Sequence, residues 1–179
     1  MSGEHLVVLR GNSGSGKTTI ARRLQLAMGR GTANIGQDHF RRTVLREHDV
    51  AGGDNIAFIA ESARYCVSIG YHVILEGIFC SEHYGDMLRE LIDTHRGPAH
   101  VFYLDVPLEE TLRRHEGRPM RAKVEPDRLR QWYVANDVLN VPGEVILDET
   151  GDVDSTTQLV IARIGKVSPK SSVEGARFL

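Results

Sequence analysis

Short apolar runs alternate along this chain with longer segments of helical hydrophobic spacing. Leu6-Val7-Val8-Leu9 is a continuous apolar run and predicts a buried first strand over about 5–10. A glycine-rich stretch follows. Ile20, Leu24, Ala27 and Met28 then recur at helical intervals, so a helix is expected from Lys17. Ala33–Gln37 predicts a second strand, and Asp38 opens a polar helical stretch to about Glu47. After a glycine-containing loop over Asp49–Asn55, Ile56, Ile59, Ala60, Ala63 and Val67 mark one face of a strong amphipathic helix. Val73-Ile74-Leu75 lies in a third strand, 72–77, followed by a helix over roughly 81–95 and a fourth strand over 99–106. Pro107 suits the first position of the next helix, which Gly117 ends. A polar connection over 118–125, a helix over 126–139, a fifth strand over 144–147 and a last helix over about 155–164 complete the pattern.

Strands alternating with helices predict an α/β fold of three layers, a parallel sheet covered by helices on both faces. In such sheets ligands bind beyond the carboxyl ends of the strands. The glycine-rich stretch, Asp38, Glu76 and Gly77 all fall at such ends, so they are expected on one rim. The 179 residues suit one domain over 1–167, with 114–127 as a lid and 168–179, which has Pro, Ser and Gly and little periodicity, as a loose tail.

Composition narrows the partners. A net charge of −2 argues against a general polyanion binder and so against a nucleic-acid partner. Cys66 and Cys80 have no metal-ligand spacing, and reduced thiols in a cytoplasmic protein are the simplest expectation. The chain reaches its first strand by Leu6, so no signal peptide is expected, and no apolar run approaches the roughly 18 residues of a membrane span.

The chemistry concentrates in Gly11-Asn12-Ser13-Gly14-Ser15-Gly16-Lys17-Thr18, a complete G-x-x-x-x-G-K-[ST] phosphate-binding loop between a strand and a helix. Glycines let backbone N–H groups turn toward phosphates, and the helix N-terminus adds partial positive charge. Lys17 brings a full charge to the β- and γ-phosphates, and the Thr18 hydroxyl suits Mg²⁺. These eight residues, with Thr19 beside them, are the candidate nucleotide-binding set.

Asp38 reads in two ways. It suits a helix N-cap, and it also suits a base that orients and deprotonates an acceptor hydroxyl. Arg41 and Arg42 fit substrate or phosphate contacts, or plain solvated charge. Glu76 ends the third strand, where a carboxylate needs pairing, and a water-mediated metal contact would supply it. Asp105, ending the fourth strand, is the rival acid; Glu76 is preferred because Gly77 would let substrate approach closely. Arg113, Arg114, Arg118, Arg121 and Lys123 suggest a lid over the triphosphate, although Glu109–Arg113 and Glu110–Arg114 have helix-pairing spacing. Trp132 and Tyr133 read as core, and the histidines as scattered, without a metal-like cluster.

These elements together resemble the small P-loop kinases: nucleoside-monophosphate, shikimate and gluconate kinases, chloramphenicol phosphotransferase and the zeta-toxin group. The resemblance spans about residues 5–165. It implies a five-stranded sheet of order 2-3-1-4-5, with ATP and Mg²⁺ as cofactors and Thr18 and Glu76 near the metal. It also implies Asp38 at the acceptor hydroxyl, beside which the residues themselves make Arg42, Glu76 and Gly77 the candidate substrate site. Arg114 and Arg118 have the four-residue spacing of lid arginines, implying adenine stacking and phosphate contact, with Arg118 catalytic alongside Lys17 and Asp38. The loop around 149–151 is implied at adenine.

The chain departs from the monophosphate kinases after the third strand, where Glu76-Gly77-Ile78-Phe79 replaces their Asp-Gly-[Phe/Tyr]-Pro-Arg. That favours a small-molecule hydroxyl acceptor over a nucleotide. The expectation is an ATP-dependent kinase, monomer or homodimer, acting on an antibiotic, nucleoside or sugar-like metabolite. A polynucleotide 5′-hydroxyl kinase and a nucleotide-dependent switch ATPase are the alternatives. Neither an Asn-Lys-x-Asp nor a Leu-Ser-Gly-Gly motif is present.

Overall fold

The structure, a computed structural model, describes residues 3–116, 126–148, 152–168 and 170. Five parallel strands, β1 (Leu6–Gly11), β2 (Thr32–Gly36), β3 (His72–Glu76), β4 (Ala99–Asp105) and β5 (Val145–Asp148), form one sheet of order β2-β3-β1-β4-β5. β1 is the central strand and is buried along its length. Its side chains alternate between faces. Leu6 and Val8 join Ile59, Ala63, Tyr84 and Leu88 on one side. Val7 and Leu9 join Ile20, Leu24, Val160 and Ile164 on the other. Burial on both faces is why the strands read as continuous apolar runs.

The helices are α1 (Lys17–Met28), α2 (Asp54–Ser68), α3 (Ser81–Thr94), α4 (Leu108–Glu116), α5 (Pro126–Trp132) and α6 (Val153–Ile164). α2 and α3 supply Ile59, Tyr84 and Leu88 to one core, and α1 and α6 supply Leu24 and Val160 to the other. The Asp152 carboxylate caps α6 by accepting from Ser155 N. None of the described helices is long and apolar enough to cross a membrane. Both cysteines are free thiols.

Two expectations change. The stretch after Asp38 is a π-helical turn over His39–Leu45, closed by Arg46 in a left-handed conformation (φ 56°). The helix expected over 126–139 stops at Trp132. Beyond it Asn136 and Asn140 take positive φ (52° and 56°), and the Val134 main chain is bound by the Asn12 side chain on both its N–H and its carbonyl. Of the segment 168–179, Ser168 and Lys170 are described, and each meets the strand-β3 side of the fold. The Ser168 carbonyl meets His72 Nε2 at 2.8 Å, and the Lys170 ammonium lies 4.1 Å from the Tyr71 ring centre. The remainder of that tail and most of the expected lid, including Arg118, Arg121 and Lys123, lie outside the described residues.

Candidate functional site

The phosphate loop leaves the end of β1 and enters α1 at Lys17. Gly11 must be glycine here: it has φ 140°, and a Cβ would sit 2.5 Å from the Leu104 carbonyl oxygen of the neighbouring strand. Gly14 and Gly16 also have positive φ, 85° and 99°, which gives the loop its curl. The buried Lys17 ammonium donates to Asn12 O at 2.7 Å and Ser15 Oγ at 3.2 Å, so it closes over the loop rather than pointing to solvent. Thr18 and Thr19 are exposed at the first turn of α1.

The Thr18 hydroxyl donates to Glu76 Oε2 at 3.1 Å. Burial pushes the Glu76 carboxyl above its ordinary range; the Lys17 charge and the Thr18 hydrogen bond act against it, and the charge of Asp38 adds to it. Phosphate loop, β2 end and β3 end therefore meet electrostatically at Glu76. A hydroxyl beside a half-buried carboxylate is a hard oxygen donor pair, and a divalent cation would offset the burial of that charge. Thr18 and Glu76 thus have the donor chemistry to help hold a divalent cation such as Mg²⁺. No group of three or more His, Cys, Asp or Glu among the described residues forms a metal cage. Asp105 sits across β1 from Glu76, beside Asp148 of β5.

Asp38 does not cap a helix. Its backbone is itself helical (φ −63°, ψ −34°) and its side chain makes no capping bond. Instead Oδ1 receives both arginines, Arg41 Nη2 at 3.0 Å and Arg42 Nε at 3.1 Å. The side chain keeps 58% of its surface exposed.

Gly77 is explained by a neighbour. A Cβ there would lie 2.5 Å from Gln37 Oε1 and 2.6 Å from Gln37 Cβ, so the space over Gly77 is filled by Gln37. Gln37 is buried and its Oε1 accepts from Phe79 N at 3.0 Å. Phe79 has φ 45°, unusual for a bulky residue. Its carbonyl is gripped by Arg10 through Nε (3.1 Å) and Nη2 (2.8 Å). Arg10 is fully buried and pairs with Asp137 (3.0 Å) and Glu144 (3.5 Å). The Asp137 carboxylate also accepts from Ser81 N at the start of α3. Arg10 therefore joins the strand under the phosphate loop, the loop after Glu76 and the chain after α5. Sequence reasoning missed Gln37 and Arg10; the signal for Arg10 was a charge at the end of an otherwise apolar strand.

On α4 the expected Glu109–Arg113 pair does not form. Glu110 takes both arginines, Arg113 at 2.6 Å and Arg114 at 2.5 Å, which holds its carboxyl down at about 2. Arg113 is three residues from Glu110, a helix-surface spacing as good as four. Arg114 faces the same small cleft as Ser15, Leu104, Val106, Asp148 and Val153, which puts it beside the phosphate loop. Arg118 and the 149–151 loop lie outside the described residues.

Trp132 is 41% exposed rather than core, because α5 ends there. Tyr133 is half-buried and donates to Val106 O at 3.3 Å. The histidines are not all scattered. His5, just before β1, meets His72 of β3 and His100 of β4, with His5 Nδ1 3.1 Å from His100 Nε2 and His72 Nδ1 accepting from His5 N at 2.9 Å. Residues far apart in sequence come together because parallel strands align their starts.

Against known proteins, the AAA domain family matches residues 6–150. No curated protein matches the chain. Among solved structures, an APS kinase of Mycobacterium tuberculosis in complex with AMPPNP and APS is 19% identical, with a TM-score of 0.70 over 92% of this chain and 99% of that one. A gluconokinase from Sinorhizobium meliloti is 15% identical, with a TM-score of 0.62 over 90% of this chain and 92% of that one. The tunicamycin resistance protein of Deinococcus radiodurans is 16% identical, with a TM-score of 0.64 over 93% and 99%. At these identities the likeness is one of fold. With its intact phosphate loop and its 2-3-1-4-5 sheet, the chain belongs to the AAA domain family and has the fold of the small P-loop kinases.

Proposed function

We propose that the protein is a kinase that moves the γ-phosphoryl group of ATP to a hydroxyl of a small molecule. The observation that carries this reading is the meeting of Lys17, Thr18 and Glu76 with Asp38 on one rim of the sheet. Phosphoryl transfer asks the protein for positioning and charge stabilisation. The loop from Gly11 to Thr18 holds the triphosphate, and Lys17 moves from its loop oxygens to the β- and γ-phosphates. Thr18 and Glu76 would hold Mg²⁺, which would supply neutralising charge to the triphosphate. Asp38 accepts the proton of the attacking hydroxyl, and Arg42, whose Nε lies 3.1 Å from Asp38 Oδ1, helps to hold that carboxylate toward the acceptor. Arg114 reaches the nucleotide from α4, and Arg118 completes a lid with it. The structural neighbours include kinases of small hydroxylated molecules, an APS kinase and a gluconokinase, which supports this acceptor class.

The test is product analysis. γ-Labelled ATP and Mg²⁺ are incubated with panels of sugars, sugar acids, nucleosides and hydroxylated antibiotics. Label in a phosphorylated acceptor is the expected result. Label in inorganic phosphate alone, across all panels, would replace the kinase with a nucleotide-driven switch.

A further inference from the structure

Asp38 lies on an exposed turn, and an aspartate there is free to rotate unless something fixes it. What fixes it is a line of side chains leading into the core. Arg41 is buried to 9% exposure and gives Nη2 to Asp38. Its Nη1 lies 3.4 Å from the Glu47 carbonyl, and its Nε faces Asp49 Oδ2 at 3.9 Å, an ion pair rather than a hydrogen bond. Asp49 sits in the loop before α2, and its Oδ1 accepts from the Tyr84 hydroxyl at 2.8 Å. Tyr84 is fully buried on α3, edge-on to Phe79 at 5.3 Å. Gln37 Nε2 and His83 Nδ1 approach Asp49 at 3.5 and 3.9 Å.

We propose that Asp49 and Tyr84 are positioning residues that set the Asp38 carboxylate through Arg41; the inference rests on the kinase reading of Asp38. Three features of the geometry carry it. First, the core end of the line is rigid, because Tyr84 has no exposed surface and α3 is pinned at Ser81 by Asp137. Second, Arg41 stands between two carboxylates, so its distance from Asp38 depends on how firmly Asp49 holds its other edge. Third, the Tyr84 hydroxyl has a choice of acceptors, Asp49 Oδ1 and Asn55 Oδ1, both at 2.8 Å. The ionised one makes the stronger bond, so Asp49 is held in place rather than left to swing to solvent. Arg42, by contrast, is 43% exposed and cannot define a direction by itself.

A buried tyrosine hydroxyl with a partner would stabilise the fold whatever its effect on Asp38. The test therefore reads chemistry and stability together. Tyr84→Phe and Asp49→Asn break the line at separate links, and each is made alone and with Asp38→Asn. Transfer is read on water, the simplest hydroxyl, as phosphate released from γ-labelled Mg·ATP. Mg·ATP affinity and melting temperature are measured on the same samples, and amide hydrogen exchange is followed over 38–49 with Mg·AMPPNP bound.

Either single change should lower transfer about ten- to a hundredfold, the scale of a misplaced reacting group. Exchange over 38–49 should quicken and Mg·ATP affinity should hold. In the Asp38→Asn background the same changes should cost no further transfer, while their effects on melting temperature persist. Unchanged transfer and unchanged exchange, or an equal further loss in the Asp38→Asn background, would overturn the proposal. Full transfer by Asp38→Asn alone would overturn the reading of Asp38 itself. It is distinguishable because exchange over 38–49 would still respond to Asp49→Asn.

Discussion

Thr18 Oγ1 donates to Glu76 Oε2 at 3.1 Å, tying the first turn of α1 to the end of β3. The pair brings a hydroxyl and a carboxylate together where the metal of a bound Mg–nucleotide would sit. Glu76→Gln keeps the shape and the hydrogen bond but removes the charge. The Mg²⁺ concentration giving half-maximal nucleotide turnover should rise about ten- to a hundredfold, the range seen when a supporting group of a metal site is lost. A magnesium titration at fixed ATP measures it, and an unchanged midpoint would transfer the role to Asp105.

Arg10 is a structural centre rather than a reacting group. Its guanidinium is fully buried between Phe79 O, Asp137 and Glu144, whose side chains are themselves only 8% and 6% exposed. Arg10→Met leaves those carboxylates without their cation. Breaking one side of a buried ion pair costs about 3–5 kcal/mol, and urea unfolding should show a loss of that order. Arg10→Met combined with Asp137→Asn should recover part of it, since fewer unpaired charges stay buried. A loss below about 1 kcal/mol, the scale of a surface ion pair, would contradict the buried network.

The α/β order was legible because the strands are buried on both faces and read as apolar runs such as Leu6-Val7-Val8-Leu9. The phosphate loop was legible because its residues are contiguous. The resemblance supplied the strand order that the structure bears out. The side chains that support the site were not legible, since each works across a long gap in sequence: Arg10 with Asp137, Gln37 with Phe79 N, Tyr84 with Asp49. The end of α5 was missed for the same reason, because the partner that takes the Val134 main chain is Asn12, far upstream. The cap reading of Asp38 rested on a local preference, whereas its carboxylate is taken by Arg41 and Arg42 of the π-helical turn.

The histidine cluster at the far end of the sheet predicts a pH dependence of stability. Burial first, and for His5 the charges of His100, His72 and His95, push His5 and His100 below their ordinary value of 6.5. The folded chain therefore binds these protons more weakly than the unfolded chain. Stability is fully present above 6.5 and falls as pH drops through that value toward the lowered folded pKa. Melting temperature should decrease from about pH 7.5 to about pH 5.5, and His100→Gln should flatten that decrease. An identical slope in the variant would place the effect elsewhere.

Asp38→Asn separates binding from chemistry. The amide keeps the size of the side chain and loses the basicity that a hydroxyl proton requires. The variant should fold with an unchanged melting temperature to within a few degrees, since the side chain is 58% exposed. It should bind Mg·ATP as the wild-type chain does. Transfer of labelled phosphate to the acceptor should fall by about 10²–10⁴-fold, the scale of a lost general base. Measuring Mg·ATP affinity and acceptor phosphorylation on one preparation is the most direct check. Retained affinity with lost transfer is the predicted result, and wild-type transfer by Asp38→Asn would contradict it.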